Sequence, residues 1–349
     1  MKRHLINHKY SILEALRMLN ELSGGVMTLF AVDDSGIMTG SVTDGDIRRA
    51  LLRGVSVNDS VELAANPDYK ALTADGDNVE RLRAFRKLGV RLIPRLDEHG
   101  RIVEIIDTTV TKSRLPLSAI LMAGGKGVRL RPLTLDTPKP LLEIGGKPII
   151  DYNIESLARA GIKDIYVSVN YLAEKIESHF AAPVAGVKVN CVREDRPLGT
   201  IGSAALVELP LEGNSIVMNS DLLTTISFED MYLHHMANDA AITVAAVPYN
   251  VSVPYAILST ESELVTDLQE KPSYSYYANA GIYIISNKLL AELPRNCRTD
   301  ATDLIQNAIA EGLRVSYFPI SGTWIDIGSP IDFAHACELM KHHLNSYGV

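Results

Sequence analysis

The run Ala119-Ile120-Leu121-Met122 leads straight into Ala123-Gly124-Gly125-Lys126-Gly127-Val128-Arg129-Leu130-Arg131-Pro132-Leu133-Thr134. A short apolar strand that opens into a glycine cluster presents bare backbone to an anion. Without Cβ atoms the chain can approach a triphosphate closely and turn several N–H groups toward it. Two better-known phosphate loops do not fit. A dinucleotide fingerprint starting at Gly125 needs glycine where Leu130 stands. A P-loop needs G-K-[ST], whereas Gly125-Lys126 is followed by Gly127 and Gly146-Lys147 by Pro148.

Downstream of this loop, short apolar runs alternate with helical patterns. Residues 151–160 are amphipathic and stop at Gly161, a helix terminator. Residues 165–169, 187–192, 216–218 and 242–247 are rich in Val and Ile and read as strands. Such alternation predicts a mainly parallel sheet with helices on its faces, where ligands collect beyond the carboxyl ends of the strands. A helical tail is expected over residues 331–344, with no hexapeptide-repeat extension and hence no fused acyltransferase.

Upstream, Thr111-Lys112-Ser113-Arg114-Leu115-Pro116 is a polar, basic seam closed by proline. It divides the chain into residues 1–113 and 117–349. The first part carries an internal repeat. One half has a helical face of Ile12, Leu16 and Leu19, a strand over 28–32, the acidic turn Asp33-Asp34-Ser35-Gly36 and a strand over 37–42. The other has Val79, Leu82 and Phe85, then Leu92-Ile93-Pro94, Asp97-Glu98-His99-Gly100 and a strand over 102–106. Two such copies pair because neither alone buries its apolar face.

Further along, Thr137-Pro138-Lys139-Pro140-Leu141-Leu142 and Gly145-Gly146-Lys147-Pro148 complete the pattern G-G-x-G-x-R-L-x-P-L-T-x-x-x-P-K-P-L-L. It is followed, in order, by Arg193-Glu194 to Pro197-Leu198-Gly199-Thr200, Asn219-Ser220-Asp221, Glu270-Lys271-Pro272, Asn279-Ala280-Gly281-Ile282-Tyr283 and Trp324-Ile325-Asp326-Ile327-Gly328. From residue 118 to about 335 the chain resembles the sugar-phosphate nucleotidyltransferases. The resemblance implies a Rossmann-like, mainly parallel α/β domain that uses Mg²⁺, an NTP and a sugar 1-phosphate to form an NDP-sugar and pyrophosphate.

That chemistry explains the residue types. A phosphate monoester is largely dianionic at neutral pH, its second pKa being about 6, so attack on the α-phosphorus needs no general base. It needs cations and positioning, because two polyanions must meet. The resemblance makes Arg129 and Lys139 the catalytic cations and Asp221 and Asp326 the Mg²⁺ ligands, hard oxygen donors of the kind this ion takes. Leu121, Ala123, Gly124, Gly125, Gly127, Glu194 and Gly199 are expected around the nucleotide, mostly through main-chain groups. Glu270, Lys271 and Asn279 are expected around the sugar phosphate. Trp324 reads as packing, and His234-His235 as an exposed helix end.

The base is less determined. A Glu194 carboxylate can accept from guanine's donor edge, which favours GTP; uridylyl, thymidylyl and phosphocholine cytidylyl transfer stay open. So does a silent nucleotide sensor, although all five charged residues, Arg129, Lys139, Asp221, Lys271 and Asp326, are present.

The N-terminal part resembles a tandem cystathionine-β-synthase-type (CBS) pair, carried by Gly40, Thr43 and Asp46 in G-x-x-T-x-x-D spacing. Thr43 and Asp46 are the candidates for the ribose of an adenine nucleotide; the equally weighted alternative has Asp46 capping a helix in a docking or oligomerisation module. The second copy has Glu104, Asp107 and Val110 at the matching positions. A CBS pair ahead of such a domain also resembles guanylyltransferases of mannose, glucosamine or heptose 1-phosphates, and a homo-oligomer is expected.

Of the 349 residues, 46% are hydrophobic and the formal net charge is −8, which argues against a nonspecific grip on nucleic acid. No stretch approaches the ~18 apolar residues of a membrane span. The first residues, interrupted by Glu14 and Arg17, suit an amphipathic helix better than a signal peptide. Cys191, Cys297 and Cys337 have no C-x-x-C spacing, so a cytoplasmic protein without disulfides or zinc is expected.

Overall fold

The computed structural model describes residues 2–74 and 78–346, with side chains described to residue 341. Met1–Arg114 and Leu115–Val349 form two compact units.

In the first unit each half contributes one three-stranded sheet. β1 (Leu5–Asn7) runs parallel to β2 (Thr28–Val32), and β3 (Met38–Thr43) returns antiparallel. The second half repeats this with β4 (Leu72–Thr73), β5 (Leu92–Leu96) and β6 (Ile102–Asp107). The ladders even break at equivalent places, between Ala31 and Val32 and between Arg95 and Leu96. α1 (Ile12–Glu21) and α3 (Val79–Lys87) sit between the first two strands of each half, and α2 (Asp44–Leu52) follows β3.

The N-terminal helix is shorter than the sequence pattern implied. The carboxamide of Asn7 accepts from Lys9 N–H at 2.9 Å and turns the chain, so the helix starts only after the capping box of Ser11 and Glu14. Ile12, Ala15 and Leu19 then pack on Leu29, Ala31, Val42 and Ile47.

The second unit is built on a seven-stranded sheet. Its strands are β7 (Leu117–Met122), β10 (Ile165–Val169), β11 (Val189–Arg193), β12 (Asn214–Asn219), β14 (Ile242–Ser252), β17 (Ser273–Ser286) and β18 (Val315–Pro319). Between β7 and β10 come the hairpin strands β8 (Glu143–Ile144) and β9 (Lys147–Pro148), and three small strands lie elsewhere: β13 (Leu222–Thr224), β15 (Ile257–Glu261) and β16 (Leu264–Gln269). The order is β11-β10-β7-β12-β17-β14-β18, and β17 alone opposes its neighbours, which makes the sheet mainly parallel. Apart from Ser118, β7 is apolar, and Ala119, Ile120 and Leu121 are fully buried.

α4 (Ile149–Arg159), α5 (Ala173–His179), α6 (Phe228–Ala237), α7 (Asn287–Ala291), α8 (Ala301–Ala310) and α9 (Pro330–Ser346) complete the unit, with β19 (Trp324–Asp326) ahead of α9. The chain leaves β7 toward β10 and β11, then crosses to β12 on the other side. β7 and β12 therefore flank the switch point of the sheet, the place where open α/β sheets put their ligand crevices.

One expectation fails on α6. His235 is buried at its C-terminal end, with Nδ1 2.8 Å from Thr243 Oγ1, which is itself 2.8 Å from Ser316 Oγ. Burial pushes the imidazole down to about 4. The histidine satisfies a polar pair between the helix and β14 and is no exposed terminus.

Candidate active site

The glycine cluster leaves the end of β7 with Leu121 and Ala123 buried, so that only their main chain can face a ligand. Ala123 N–H donates to Ser168 O on β10 at 3.0 Å. Among the described residues the next four N–H groups, Gly124 to Gly127, donate to no protein acceptor, which is the state of a backbone cradle for an anion. Gly125 is exposed and open: a Cβ there would meet nothing within 4 Å. Gly127 is different, for it has φ +57° and a Cβ would press to 2.9 Å from Thr134 Cγ2 and 3.2 Å from Lys139 Cβ. Its absent side chain lets the loop fold down onto the segment that carries Lys139.

Arg129 sits in the single turn Val128–Leu130. Leu130 anchors that turn in a cluster with Leu142, Ile144, Ile149 and Ile327, while Arg129 itself stays exposed. Its guanidinium comes 3.3 Å from where a Cβ of Gly328 would stand. The glycine loop thus meets the W-x-D-I-G segment about two hundred residues further along the chain.

β13 and β19 pair antiparallel, with Leu222 opposite Asp326, and Ile327 N–H donates to Asp221 O at 3.2 Å. This small ribbon sets Asp221 and Asp326 side by side just beyond the end of β12. The Lys139 ammonium lies between them, bonded to Asp221 Oδ2 and 3.9 Å from Asp326 Oδ1. Burial raises Asp326 above the usual carboxylate range and the Asp221 charge raises it further, while Lys139 and Arg129 pull it down. All four charged residues expected at the phosphates and the metal therefore act on one spot. Among the described residues no third His, Cys, Asp or Glu joins the two aspartates. Two hard carboxylates are a donor set that fits an ion sharing its remaining positions with phosphate oxygens and water.

Glu194 is buried just past β11. Ser168 Oγ donates to its Oε1 at 2.8 Å and Leu198 N–H to its Oε2 at 3.1 Å. A carboxylate offers about four acceptor positions, so a fixed pair remains after these two bonds. Oε1 stands 2.8 Å from where a Cβ of Gly124 would be, at the mouth of the glycine loop.

Gly199 owes its identity to packing. It has φ +84°, and a Cβ would fall 2.4 Å from Thr299 O. The P-L-G-T segment is laced to residues 299–301: Thr299 N–H bonds Leu198 O, Thr200 N–H bonds Asp300 Oδ1, and Ala301 N–H bonds Thr200 Oγ1. Gly281 likewise takes φ +68° so that β17 can lie on Asn219 of the N-S-D segment.

The residues expected around the sugar phosphate are gathered less closely. Asn279 is exposed on β17, its side chain accepting from Gly281 N–H at 2.9 Å. Glu270 and Lys271 lie exposed between β16 and β17 and make no hydrogen bond or ion pair among the described residues. The Trp324 indole N–H donates to Ala280 O at 2.9 Å and ties β19 to β17.

Sequence reading missed Asn153. It stands on the apolar face of α4, in line with Ile149 and Leu157, and is buried. Its carboxamide donates to Ser220 O at 3.2 Å and to Leu222 O at 3.0 Å, gripping the backbone on both sides of Asp221. A polar residue inside an apolar stripe was the available signal, since burial without partners is costly.

In the first unit Thr43 and Asp46 form a capping box at the start of α2, and Asp46 also holds Arg49 at 2.6 Å. In the second copy Glu104 pairs with Arg95 and Arg114, and Asp107 closes a turn on Thr109. Helix capping is thus the role visible in the fold.

Residues 118–342 match the nucleotidyl transferase family. Among curated proteins the chain is 32% identical over 226 residues to mannose-1-phosphate guanyltransferase beta-A of Xenopus laevis, covering 62% of either chain. It is 33% identical over 227 residues to mannose-1-phosphate guanyltransferase of Candida albicans, again covering 62% of each. The chain therefore spans under two thirds of the length of these relatives. Among solved structures, HddC from Yersinia pseudotuberculosis superposes with a TM-score of 0.50 at 26% identity, over 64% of this chain and 99% of that one. With its glycine loop, paired aspartates and mainly parallel sheet, the chain belongs to the nucleotidyl transferase family.

Proposed function

We propose that the second unit transfers a nucleoside monophosphate from an NTP to a sugar 1-phosphate, releasing pyrophosphate. The observation that carries this is the convergence of Arg129, Lys139, Asp221 and Asp326 beside the unpaired N–H groups of the glycine loop. The loop N–H groups would hold the triphosphate, and Arg129 would span the α-phosphate and the departing pyrophosphate. Lys139 would add a second fixed charge. The sugar phosphate attacks the α-phosphorus with an oxygen already deprotonated, so these groups orient and neutralise without moving a proton. Asp221 and Asp326 would hold Mg²⁺, which supplies charge neutralisation at the phosphates when bound. Lys271, Glu270 and Asn279 are assigned to the sugar phosphate through their motifs.

GTP is the proposed donor. Glu194 has two acceptor positions left and a fixed orientation, which suits the adjacent N–H donors of guanine, and the relatives above are named for guanylyl transfer to mannose 1-phosphate. A silent sensor is disfavoured because no charged member of the cluster is missing. For the first unit we propose a CBS-type regulatory or docking pair. An adenine nucleotide at Thr43 and Asp46 would have to share them with the α2 cap. The three unpaired cysteines support a reducing, cytoplasmic setting.

Pyrophosphate release, measured with Mg²⁺ for ATP, GTP, CTP, UTP and dTTP against a panel of sugar 1-phosphates and phosphocholine, tests the reading. Turnover with GTP and a hexose 1-phosphate is expected. Preference for UTP or dTTP would overturn the base, and silence with every pair would overturn the enzyme.

A further inference from the structure

Three consecutive residues around the end of β10 hold Glu194. Val169 O accepts from Glu194 N–H at 2.8 Å, and Asn170 Nδ2 donates to Glu194 O at 2.8 Å. Those two bonds fix the backbone. The third residue, Ser168, reaches the side chain, its Oγ donating to Glu194 Oε1 at 2.8 Å. Both partners are interior, Ser168 being 1% exposed and Glu194 5%. The Ser168 carbonyl also accepts from Ala123 N–H at 3.0 Å, where the glycine loop leaves β7. Ser168 thus touches the loop through its main chain and the carboxylate through its hydroxyl.

The carboxylate is pinned at both oxygens. Leu198 N–H donates to Oε2 at 3.1 Å, and a Cβ on Gly124 would stand 2.8 Å from Oε1 and 3.3 Å from Cδ. A carboxylate free to swing could suit several bases. A pinned one offers its remaining lone pairs as two acceptors side by side. Of the five common bases only guanine sets two donors next to each other on one edge, N1–H and the 2-amino group. Adenine and cytosine place an acceptor ring nitrogen beside their amino group, and uracil and thymine flank one N–H with two carbonyls. Each of these would bring a lone pair against one carboxylate oxygen, which costs affinity because a desolvated acceptor is then left unpaired.

We propose that Ser168 is the positioning residue that sets the choice of base, by locking Glu194 in the orientation that reads N1–H and the 2-amino group of a guanine nucleotide together. This rests on the proposed transfer reaction with Glu194 facing the base. Ser168 stands outside every motif of the glycine-loop pattern, yet its hydroxyl is the one side-chain donor to that carboxylate among the described residues. Without it, Leu198 N–H alone would hold one oxygen and the group could turn about that bond.

Pyrophosphate release with Mg²⁺ and the best sugar 1-phosphate, comparing GTP with inosine triphosphate (ITP), tests this. ITP differs from GTP only in lacking the 2-amino group, so the ratio of the two kcat/KM values cancels any change in folding, triphosphate binding or sugar binding. The wild type should favour GTP by ~10–100-fold, the scale of one hydrogen bond to a charged group. Ser168→Ala should shrink that preference at least ~5-fold, with most of the loss on GTP. An unchanged ratio in Ser168→Ala overturns the proposal, as does a wild type that uses ITP as readily as GTP. Should Ser168→Ala fail to fold, Ser168→Cys decides, for it has nearly the same shape and only a weak donor. A reduced preference supports the proposal and an unchanged one overturns it. A wild type that prefers another triphosphate, or uses none, overturns the reading of the base and this inference with it, whereas an unchanged Ser168→Ala ratio leaves that reading standing.

Discussion

Two glycines of the site region should respond oppositely to the same methyl group. In Gly199→Ala the new Cβ lands 2.4 Å from Thr299 O and 2.8 Å from Asp300 Oδ1, at φ +84°. The left-handed backbone alone costs alanine about 1–2 kcal/mol. A carbonyl cannot rotate away as a side chain can, so Thr299 must shift. It carries three backbone bonds, one to Leu198 O and two received from Ile201 and Gly202. Losing one or two at ~1 kcal/mol each brings the total to about 3 kcal/mol, or roughly 6–12 °C of melting temperature for a unit of this size. In Gly125→Ala the Cβ meets nothing within 4 Å and φ is not left-handed, so the melting temperature should move by no more than about 2 °C. If the loop cradles the triphosphate, however, kcat/KM for the NTP should fall at least ~10-fold, or about 1.4 kcal/mol. Scanning calorimetry and pyrophosphate-release kinetics on both variants separate the two effects. A Gly125→Ala protein with wild-type kcat/KM would refute the cradle, and a Gly199→Ala protein with wild-type melting would refute the steric account.

Arg129→Ala should lower kcat/KM by ~100-fold or more, the scale of losing one charge-stabilising donor, with melting shifted by no more than about 1 °C because the side chain is exposed; near-normal turnover contradicts its role. Asn153→Ala should cost roughly 2–3 kcal/mol and raise the Mg²⁺ concentration needed for half-maximal rate, since two backbone carbonyls beside Asp221 lose their donor. A variant that loses stability with no change in Mg²⁺ dependence would make Asn153 structural only. His235 binds its proton less readily folded, at about 4, than unfolded, near 6.5. Its contribution is therefore complete above pH 6.5 and is lost as pH falls toward 4, by up to ~3 kcal/mol at 1.4 kcal/mol per unit. Denaturant unfolding between pH 7 and pH 4 should show that slope in the wild type and a shallower one in His235→Asn, and equal slopes would sink the assignment.

Much of this was legible in the sequence because it is local. The glycine loop needs only the chemistry of glycine, and residues 119–122 of β7 announce themselves as a continuous apolar run. The doubled unit before Leu115 was readable for the same reason, each copy repeating helix, strand, acidic turn and strand in one order. What stayed hidden depends on pairing between distant segments. Nothing near Gly199 in sequence says that Thr299 will press on it. Nothing near His235 says that Thr243 and Ser316 will take its ring, so an apparently polar helix end turned out to be interior. Asn153 lay between these cases, visible as a polar residue on an apolar stripe but with partners assigned only by the fold. Asp326 was named with Asp221 only through its motif, because the pairing itself is set by three backbone pairs between β13 and β19.

The charge balance at that junction explains why the arrangement takes the form it does. Asp221 and Asp326 bring two negative charges to one spot, and Lys139 and Arg129 return two positive ones. The protein's own residues are thus close to neutral where a triphosphate and a sugar phosphate would both have to sit. Cations that bound the two polyanions equally before and during reaction would lower KM without raising kcat, so their fixed placement matters as much as their charge. With the aspartates present, Lys139 is held to a defined position through its bond to Asp221, and on the proposed reaction the surplus negative charge of the substrates would be met by an ion that arrives with them. On the proposed reaction, Asp221 would both restrain the lysine and, with Asp326, hold that ion, so replacing either carboxylate is expected to cost more than the charge balance with its nearby cation alone would suggest.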